Sequence, residues 1–140
     1  MVTCGPEEYR MEDLLEEEPY QVWSFGPALL NDDGSPRTEF NTTRNLIGLH
    51  PRTALGYYEP GHYCFVVVDG RGMGASAGAT METLSRVMSD LGCTAAYNLD
   101  GGASSSMVFD GTVISRPSGG RRRVSDMILI CDMPGTEPTA

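Results

Sequence analysis

The sequence predicts an α+β fold: a mixed, largely antiparallel sheet with β-hairpins and one clear helix. The run 64–68 is apolar and β-rich, which is typical of a buried strand. Residues 80–91 carry apolar side chains at positions 81, 84, 87, 88 and 91, the spacing of one helix face, and Gly92 marks the end of that helix. The Asp110-Gly111 pair predicts a tight hairpin over 107–114.

The remaining elements are predicted from turn residues and short apolar runs. In chain order they are a helix over 12–18, a strand over 21–24, a turn at 31–36, a loop over 37–50, two strands at 52–57 and 62–68 joined by a turn at 59–61, and a final strand over 124–131. This pattern predicts one folded domain over 20–131. An acidic segment, 1–19, precedes it, and a polar tail, 132–140, follows it.

Composition restricts the possible functions. The chain has 140 residues, enough for one hydrophobic core, and its hydrophobic and charged contents of 40% and 21% are ordinary for a globular protein. A net charge of −9 argues against nucleic-acid binding and against attraction to anionic membranes. All ten basic residues are arginine, so neither Schiff-base chemistry nor a P-loop lysine is available. We see no signal peptide and no membrane span, and the compartment stays open.

The four cysteines are widely spaced and form no Cys-x-x-Cys pair, which argues against a zinc site. Cys64 lies in a buried-strand pattern and Cys93 follows a helix end, so we interpret both as packed thiols. The even number permits disulfides without requiring them.

The segment 97–107 is the most informative part of the chain. An apolar run ends in Asn98 and Asp100, and two glycines and three serines follow at once. Glycines let a backbone approach a ligand closely, and hydroxyl and N–H groups can bind the oxygens of sugars or phosphates. The same residue types also build tight turns, in which Asp100 would cap its own backbone. The segment alone leaves both interpretations open.

A second strand also ends in a carboxylate. The run 64–68 leads directly to Asp69-Gly70-Arg71, Arg52 stands at the start of another predicted strand, and three arginines lie at 121–123. The planar guanidinium can donate two parallel hydrogen bonds to phosphate. Two strand-end carboxylates with nearby arginines therefore suggest a substrate with a sugar-like centre and an anion, although any single arginine could instead pair with a surface carboxylate.

Five motifs stand in an order that resembles the phosphodiester glycosidases. The resemblance extends from about Tyr20 to Ile130. The family includes bacterial exopolysaccharide-associated proteins and the lysosomal uncovering enzyme of mannose-6-phosphate tagging. The motifs are Trp23-Ser24-Phe25-Gly26-Pro27-Ala28-Leu29, Pro51-Arg52-Thr53-Ala54-Leu55-Gly56, Val67-Val68-Asp69-Gly70-Arg71, Asn98-Leu99-Asp100-Gly101-Gly102 and Arg122-Arg123-Val124-Ser125-Asp126.

The resemblance implies hydrolysis of a sugar 1-phosphodiester at the glycosidic bond, which releases the sugar and leaves a phosphomonoester. Glycoside cleavage commonly uses two carboxylates, for which Asp69 and Asp100 are the candidates. The candidate substrate-binding residues are Arg52, Thr53, Arg71, Asn98, Gly101, Gly102, Ser104, Ser105 and Arg122. We assign no cofactor and no metal ligand. The expected partner is a sugar 1-phosphodiester or a cell-envelope glycan, and the resemblance suggests an extracellular or cell-envelope location.

The chain departs from the family pattern in two places. Similar sequences carry Thr-x-x-Glu at the start of the helix, whereas the glutamate here is Glu82, one position early; we interpret the position as a helix cap. Full family domains begin with an Asn-Gly-Gly-Phe-like segment, and nothing before Trp23 resembles it. We therefore expect the chain to correspond to the C-terminal portion of the family domain. An oligomer or a separate completing segment could then supply the rest of the domain.

Three other functions compete with this interpretation. A truncated domain could bind sugar phosphates without turnover. A dinucleotide-binding module is suggested by residues 72–77, which match G-x-G-x-x-A after a strand, but the helix is predicted to begin only at Thr80. A serine hydrolase is disfavoured because the serines at 104–106 lack the G-x-S-x-G elbow, and we interpret His50 and His62 as structural or solvent-facing.

Overall fold

A computed structural model describes residues 1–4, 8, 10–120 and 122–131. It confirms the α+β prediction. Its elements are α1 (Met11–Glu16), α2 (Arg44–Ile47), β1 (Arg52–Glu59), β2 (His62–Val68), α3 (Met81–Asp90), β3 (Ala95–Leu99), β4 (Val108–Phe109) and β5 (Thr112–Val113). The predicted hairpin at 107–114 is the β4–β5 pair, which turns at Asp110-Gly111.

The central sheet has the strand order β2-β1-β3, and β1 is antiparallel to both neighbours. The register pairs Arg52 with Val68 on one side of β1 and Thr53 with Leu99 on the other. The last residues of β2 and β3 therefore lie beside the first residues of β1, at one edge of the sheet. This edge, which we call the 51/69/100 edge, is where the two candidate catalytic aspartates, Asp69 and Asp100, lie.

Helix α3 covers one face of the sheet. Met81, Leu84 and Met88 are fully buried and pack with residues of β1 and β3 and of the segment before β1. The core cluster consists of Leu29, Leu30, Ala54, Met81, Leu84, Met88, Cys93 and Ala96. Val87 and Leu91, also on the predicted apolar face, are 37% and 48% exposed. The face of α3 that packs against the sheet is thus narrower than the apolar face that the sequence spacing predicts.

Thr80 is the N-cap of α3, which agrees with a structural role for the Thr-x-x-Glu motif. Thr80 precedes α3 in an extended conformation, and its hydroxyl accepts a hydrogen bond from the Thr83 N–H at 3.0 Å. Thr83 occupies the position where similar sequences carry glutamate, and its hydroxyl lies 2.9 Å from that of Thr80. Glu82 instead pairs with Arg86 on the exposed side of the helix.

Two predicted strands are absent from the described structure, and both predictions were wrong. Residues 21–24 are irregular and exposed, as are most of residues 124–131. Met127, Leu129 and Ile130 are 72%, 68% and 75% exposed. A strand requires a partner edge, and neither segment lies in a ladder. The outer edge of β3 is paired by residues 26–29 instead, through a bridge between Ala28 and Tyr97.

Smaller differences concern loops and termini. The predicted loop 37–50 contains the four-residue helix α2, and the predicted helix 12–18 is α1, which ends at Glu16. The predicted tail 132–140 lies outside the described residues.

Candidate active site

The 51/69/100 edge brings together the two candidate catalytic carboxylates. Asp69 directly follows β2 and Asp100 directly follows β3, so the single strand β1 separates them. Adjacent strands lie about 4.8 Å apart, which puts the two chain positions roughly 10 Å from each other across β1. A substrate group could therefore lie between the two loops that these residues begin.

Two glycines allow both loops to pack against Pro51. A Cβ on Gly70 would lie 2.8 Å from the Pro51 nitrogen, and a Cβ on Gly101 would lie 2.6 Å from the Pro51 oxygen. That oxygen also accepts a hydrogen bond from the Gly102 N–H at 2.9 Å. Because only glycine permits such close approach, the Asp69 and Asp100 loops are held on opposite sides of one residue.

Asp69 is held by one hydrogen bond from a distant segment and one from its own loop. Its Oδ1 accepts a hydrogen bond from the backbone N–H of Arg116 at 2.7 Å. Its carbonyl oxygen accepts one from the Ser76 hydroxyl at 2.6 Å. Sequence reasoning missed Arg116, because this contact is made by a backbone group and joins residues 47 positions apart.

The Arg116 side chain lies against the loop that follows Asp69. A Cβ on Gly74 would lie 2.4 Å from Arg116 Nη1, so glycine leaves the space that the guanidinium occupies. The structure thus places a second arginine, besides Arg71, at the Asp69 loop.

Arg71 reaches from the Asp69 loop to the Asp100 loop. Its side chain is exposed, and its backbone has a φ of +56°, uncommon for a residue with a side chain. A Cβ built on Gly102 would lie 3.1 Å from Arg71 Nη2, so the guanidinium lies beside Gly102. The predicted phosphate-binding arginines are Arg52, Arg71 and Arg122. Of these, Arg71 has its charged group between the Asp69 loop and the Asp100 loop.

The serines after Asp100 differ in their contacts. Residues Gly102–Ser104 form a 3₁₀ turn, which follows Asp100 immediately. Ser105 is buried, and its hydroxyl accepts a hydrogen bond from Thr53 at 3.1 Å, which ties the turn to β1. The buried Ser104 hydroxyl has no hydrogen-bond partner among the described residues. Ser105 and Thr53 thus support the loop in this structure, while Ser104 retains an unused hydroxyl.

Asn98 lies on the core side of the sheet and is 1% exposed. Its Nδ2 donates a hydrogen bond to the Gly26 oxygen at 2.8 Å, whereas its Oδ1 has no hydrogen-bond partner among the described residues. The structure therefore assigns Asn98 a contact with the segment that pairs with β3. Its predicted contact with a sugar hydroxyl or a carboxylate stays a prediction.

Arg52 is 2% exposed and supports the loops behind the edge. Its Nε donates to the Ala79 oxygen at 2.9 Å, and its Nη2 donates to the oxygens of Leu46 and Gly48 at 2.7 and 2.6 Å. Burial lowers the pKa of the Arg52 guanidinium. In this structure the side chain satisfies three backbone carbonyls, and its predicted role in phosphate binding stays a prediction.

Arg122 is exposed in the irregular segment 122–131. None of the described contacts joins it to the other predicted site residues, and Arg121 lies outside the described residues. The structure therefore brings Asp69, Asp100 and Arg71 to the 51/69/100 edge, together with the Gly101-Gly102 turn. The neighbours of that turn on β1 and on the same loop are Thr53, Ser104 and Ser105.

The topology disagrees with a dinucleotide-binding module. In that fold the strands on either side of the helix are parallel neighbours. Here β2 and β3 are separated by the antiparallel strand β1. The glycines at 72 and 74 lie in a turn with left-handed backbone angles, and α3 begins only at Met81. The dinucleotide hypothesis was therefore wrong.

The described part of the chain contains neither a metal-binding cluster nor a membrane-spanning helix. No group of three or more His, Cys, Asp or Glu side chains there could hold a metal ion. No helix among them is both long enough and apolar enough to cross a membrane.

Comparisons with known proteins show the family and one partly similar solved structure. The phosphodiester glycosidase family matches residues 3–131. An uncharacterized prophage protein of Bacillus subtilis (strain 168), YomE, is 30% identical over 131 residues, which are 93% of this chain and 20% of YomE. A crystal structure of a Burkholderia pseudomallei K96243 protein described as exported is 40% identical, with a TM-score of 0.48 over 51% of this chain and 14% of that one.

The chain thus spans about a fifth of the length of YomE. The family match, by contrast, includes nearly all of the described residues and both strand-end aspartates. The chain belongs to the phosphodiester glycosidase family.

Proposed function

We propose that the 51/69/100 edge binds a sugar 1-phosphodiester and hydrolyses its glycosidic bond, releasing the sugar and a phosphomonoester. The observation that carries the proposal is the position of Arg71. Its guanidinium lies beside Gly102, so it joins the loop of Asp69 to the loop of Asp100. A cation between two carboxylate-bearing loops suits a substrate that has an anomeric carbon next to a phosphate.

The two aspartates have different surroundings, which suggests different roles. Asp69 is partly buried and receives the Arg116 N–H, so its carboxylate is held in one orientation. Asp100 is exposed at the end of β3. We propose that Asp100 acts on the attacking water at the anomeric carbon, and that the oriented Asp69 lies on the leaving-group side with Arg71.

A phosphate leaving group reduces the need for a general acid. It departs as an anion, so a fixed positive charge can stabilise the negative charge that develops in the transition state. Arg71 supplies such a charge in this proposal, and the Arg116 side chain lies against the same loop, beside Gly74.

A second candidate is a sugar-phosphate-binding domain without turnover, or one completed by another segment. It is favoured by the exposure of Asp100 and Arg71. Both candidates use the same edge, and turnover by the purified chain distinguishes them.

Replacing Arg71 with Ala tests the phosphate contact. We expect KM for a sugar 1-phosphodiester to rise about 10- to 100-fold, because a hydrogen-bonded charge pair with the phosphate is lost. Binding of the corresponding uncharged methyl glycoside should change little. Steady-state kinetics and calorimetric titration measure the two effects, and Arg44→Ala, in the exposed helix α2, is the matched control. Equal weakening for the charged and the uncharged ligand would refute the assignment.

A further inference from the structure

Two cysteine sulfurs meet on the core side of the sheet, away from the 51/69/100 edge. Cys64 is on β2 and Cys93 lies on the connection between α3 and β3. Their Sγ atoms are 3.6 Å apart, and both cysteines are free thiols.

Gly56 provides the space in which the two sulfurs meet. It is the β1 residue opposite Cys64, and a Cβ at this position would lie 2.6 Å from each of the two Sγ atoms. The sulfurs therefore approach each other directly above the backbone of β1. Any side chain at position 56 would come between them or push one of them away.

The two thiols differ in accessibility. Cys93 is 3% exposed, whereas Cys64 is half-buried. Burial, together with the hydrogen bond between the Cys93 and Cys64 thiols, raises the pKa of the Cys93 thiol to about 11. Cys93 therefore remains protonated at neutral pH, and Cys64 is the sulfur that a reagent in solution meets first.

We propose that Cys64 and Cys93 form a redox modification site, in which a small-molecule disulfide such as oxidised glutathione converts the two thiols into an intramolecular disulfide. The site is independent of the proposed hydrolysis. A disulfide has an S–S distance of about 2.05 Å, so the two sulfurs, now 3.6 Å apart, must approach by roughly 1.5 Å.

The reaction is two successive thiol–disulfide exchanges. The Cys64 thiolate attacks one sulfur of oxidised glutathione; that S–S bond breaks, and one glutathione leaves as a thiolate and takes up a proton. Cys93 then loses its proton as its sulfur attacks the Cys64 sulfur of the mixed disulfide, and the second glutathione leaves. Two protein thiols and one oxidised glutathione give one protein disulfide and two reduced glutathiones.

The disulfide would join β2 to the segment that leads into β3. These are the strands whose far ends carry Asp69 and Asp100, so the bond would tie together the two outer strands of the sheet across β1. It would also close a loop that contains α3, which restricts the unfolded chain.

The tryptic map of this chain makes the test direct. Trypsin can cleave only at arginine here, and Arg116 is protected by Pro117. Each cysteine therefore falls in a different peptide. The peptides are 1–10, 53–71, 87–121 and 124–140, with Cys4, Cys64, Cys93 and Cys131 respectively.

The folded chain is incubated with oxidised glutathione, its free thiols are blocked with iodoacetamide, and the unreduced digest is analysed by mass spectrometry. We expect peptides 53–71 and 87–121 to be linked, with Cys4 and Cys131 either alkylated or glutathionylated. Cys64 linked to Cys4 or Cys131, stable glutathionylation of Cys64, or alkylation of both Cys64 and Cys93 would overturn the proposal.

A double variant isolates the pair. With Cys4→Ser and Cys131→Ser the oxidised protein should form no intermolecular disulfide, lose both remaining thiols and gain about 5–15 °C in Tm. Adding Cys64→Ser should abolish this gain. A gain of the same size in the triple variant would show that the stabilisation does not come from a Cys64–Cys93 bond and would overturn the proposal.

Discussion

Replacing Asp100 with Asn is expected to lower kcat for sugar 1-phosphodiester hydrolysis by about 10²–10⁴-fold, the usual contribution of a positioned acid or base. The amide has nearly the same shape as the carboxylate but cannot accept a proton from water. Asp100 is exposed, so its replacement removes no buried contact. The Tm of the variant should therefore match that of the parent chain.

Matched variants distinguish the loss of a catalytic carboxylate from the general effect of replacing an aspartate with asparagine. Asp90→Asn makes the same substitution at the exposed end of α3 and should leave kcat unchanged. Asp69→Asn should also lower kcat, because Asp69 faces the same site in the proposal. Stopped assays of sugar release measure all three variants. Unchanged turnover in Asp100→Asn would exclude Asp100 as the residue that acts on the water.

Replacing Arg52 with Ala is expected to have the largest effect on stability. The substitution leaves three backbone carbonyls, those of Leu46, Gly48 and Ala79, without their donor. A buried acceptor left without its charged partner is costly, so we expect the free energy of unfolding to fall by about 3–5 kcal/mol. Urea unfolding followed by circular dichroism measures the loss.

Two variants define the cause of this destabilisation. Arg52→Lys keeps the charge but offers one donor group in place of the fork, so it should recover only part of the lost stability. Arg44→Ala removes an exposed arginine in nearby α2 and should change the unfolding free energy by less than about 0.5 kcal/mol. A loss in Arg52→Ala no larger than in Arg44→Ala would contradict the supporting role that the hydrogen bonds give Arg52.

The central sheet and α3 could be predicted because their signals are local. β2 is a continuous apolar run, and α3 combines helical spacing with a threonine cap and a glycine end. Segments 21–24 and 124–131 have the same β-rich composition, but composition does not show whether an unpaired strand edge is within reach. In the structure, residues 26–29 pair with the outer edge of β3 instead.

In the candidate site, too, features with a local sequence signal could be predicted and contacts between distant segments could not. Asp69 and Asp100 could be chosen as candidates because each follows a predicted strand, and the register of β1 places both at one edge of the sheet. The burial of Arg52 could not be predicted, because its partners are carbonyl oxygens that no residue type reveals. The contact of Arg116 with Asp69 could not be predicted either, since it is made by a backbone N–H across 47 positions.

The most direct test of the proposed glycosidase activity is to find which bond the water attacks. The chain is incubated with an α-N-acetylglucosamine 1-phospho-methyl ester in ¹⁸O-labelled water, and the phosphorus products are examined by ³¹P NMR. Our account predicts free sugar and methyl phosphate without ¹⁸O, because water attacks the anomeric carbon. Methyl phosphate carrying ¹⁸O, sugar 1-phosphate as the product, or no turnover by the folded chain would contradict it.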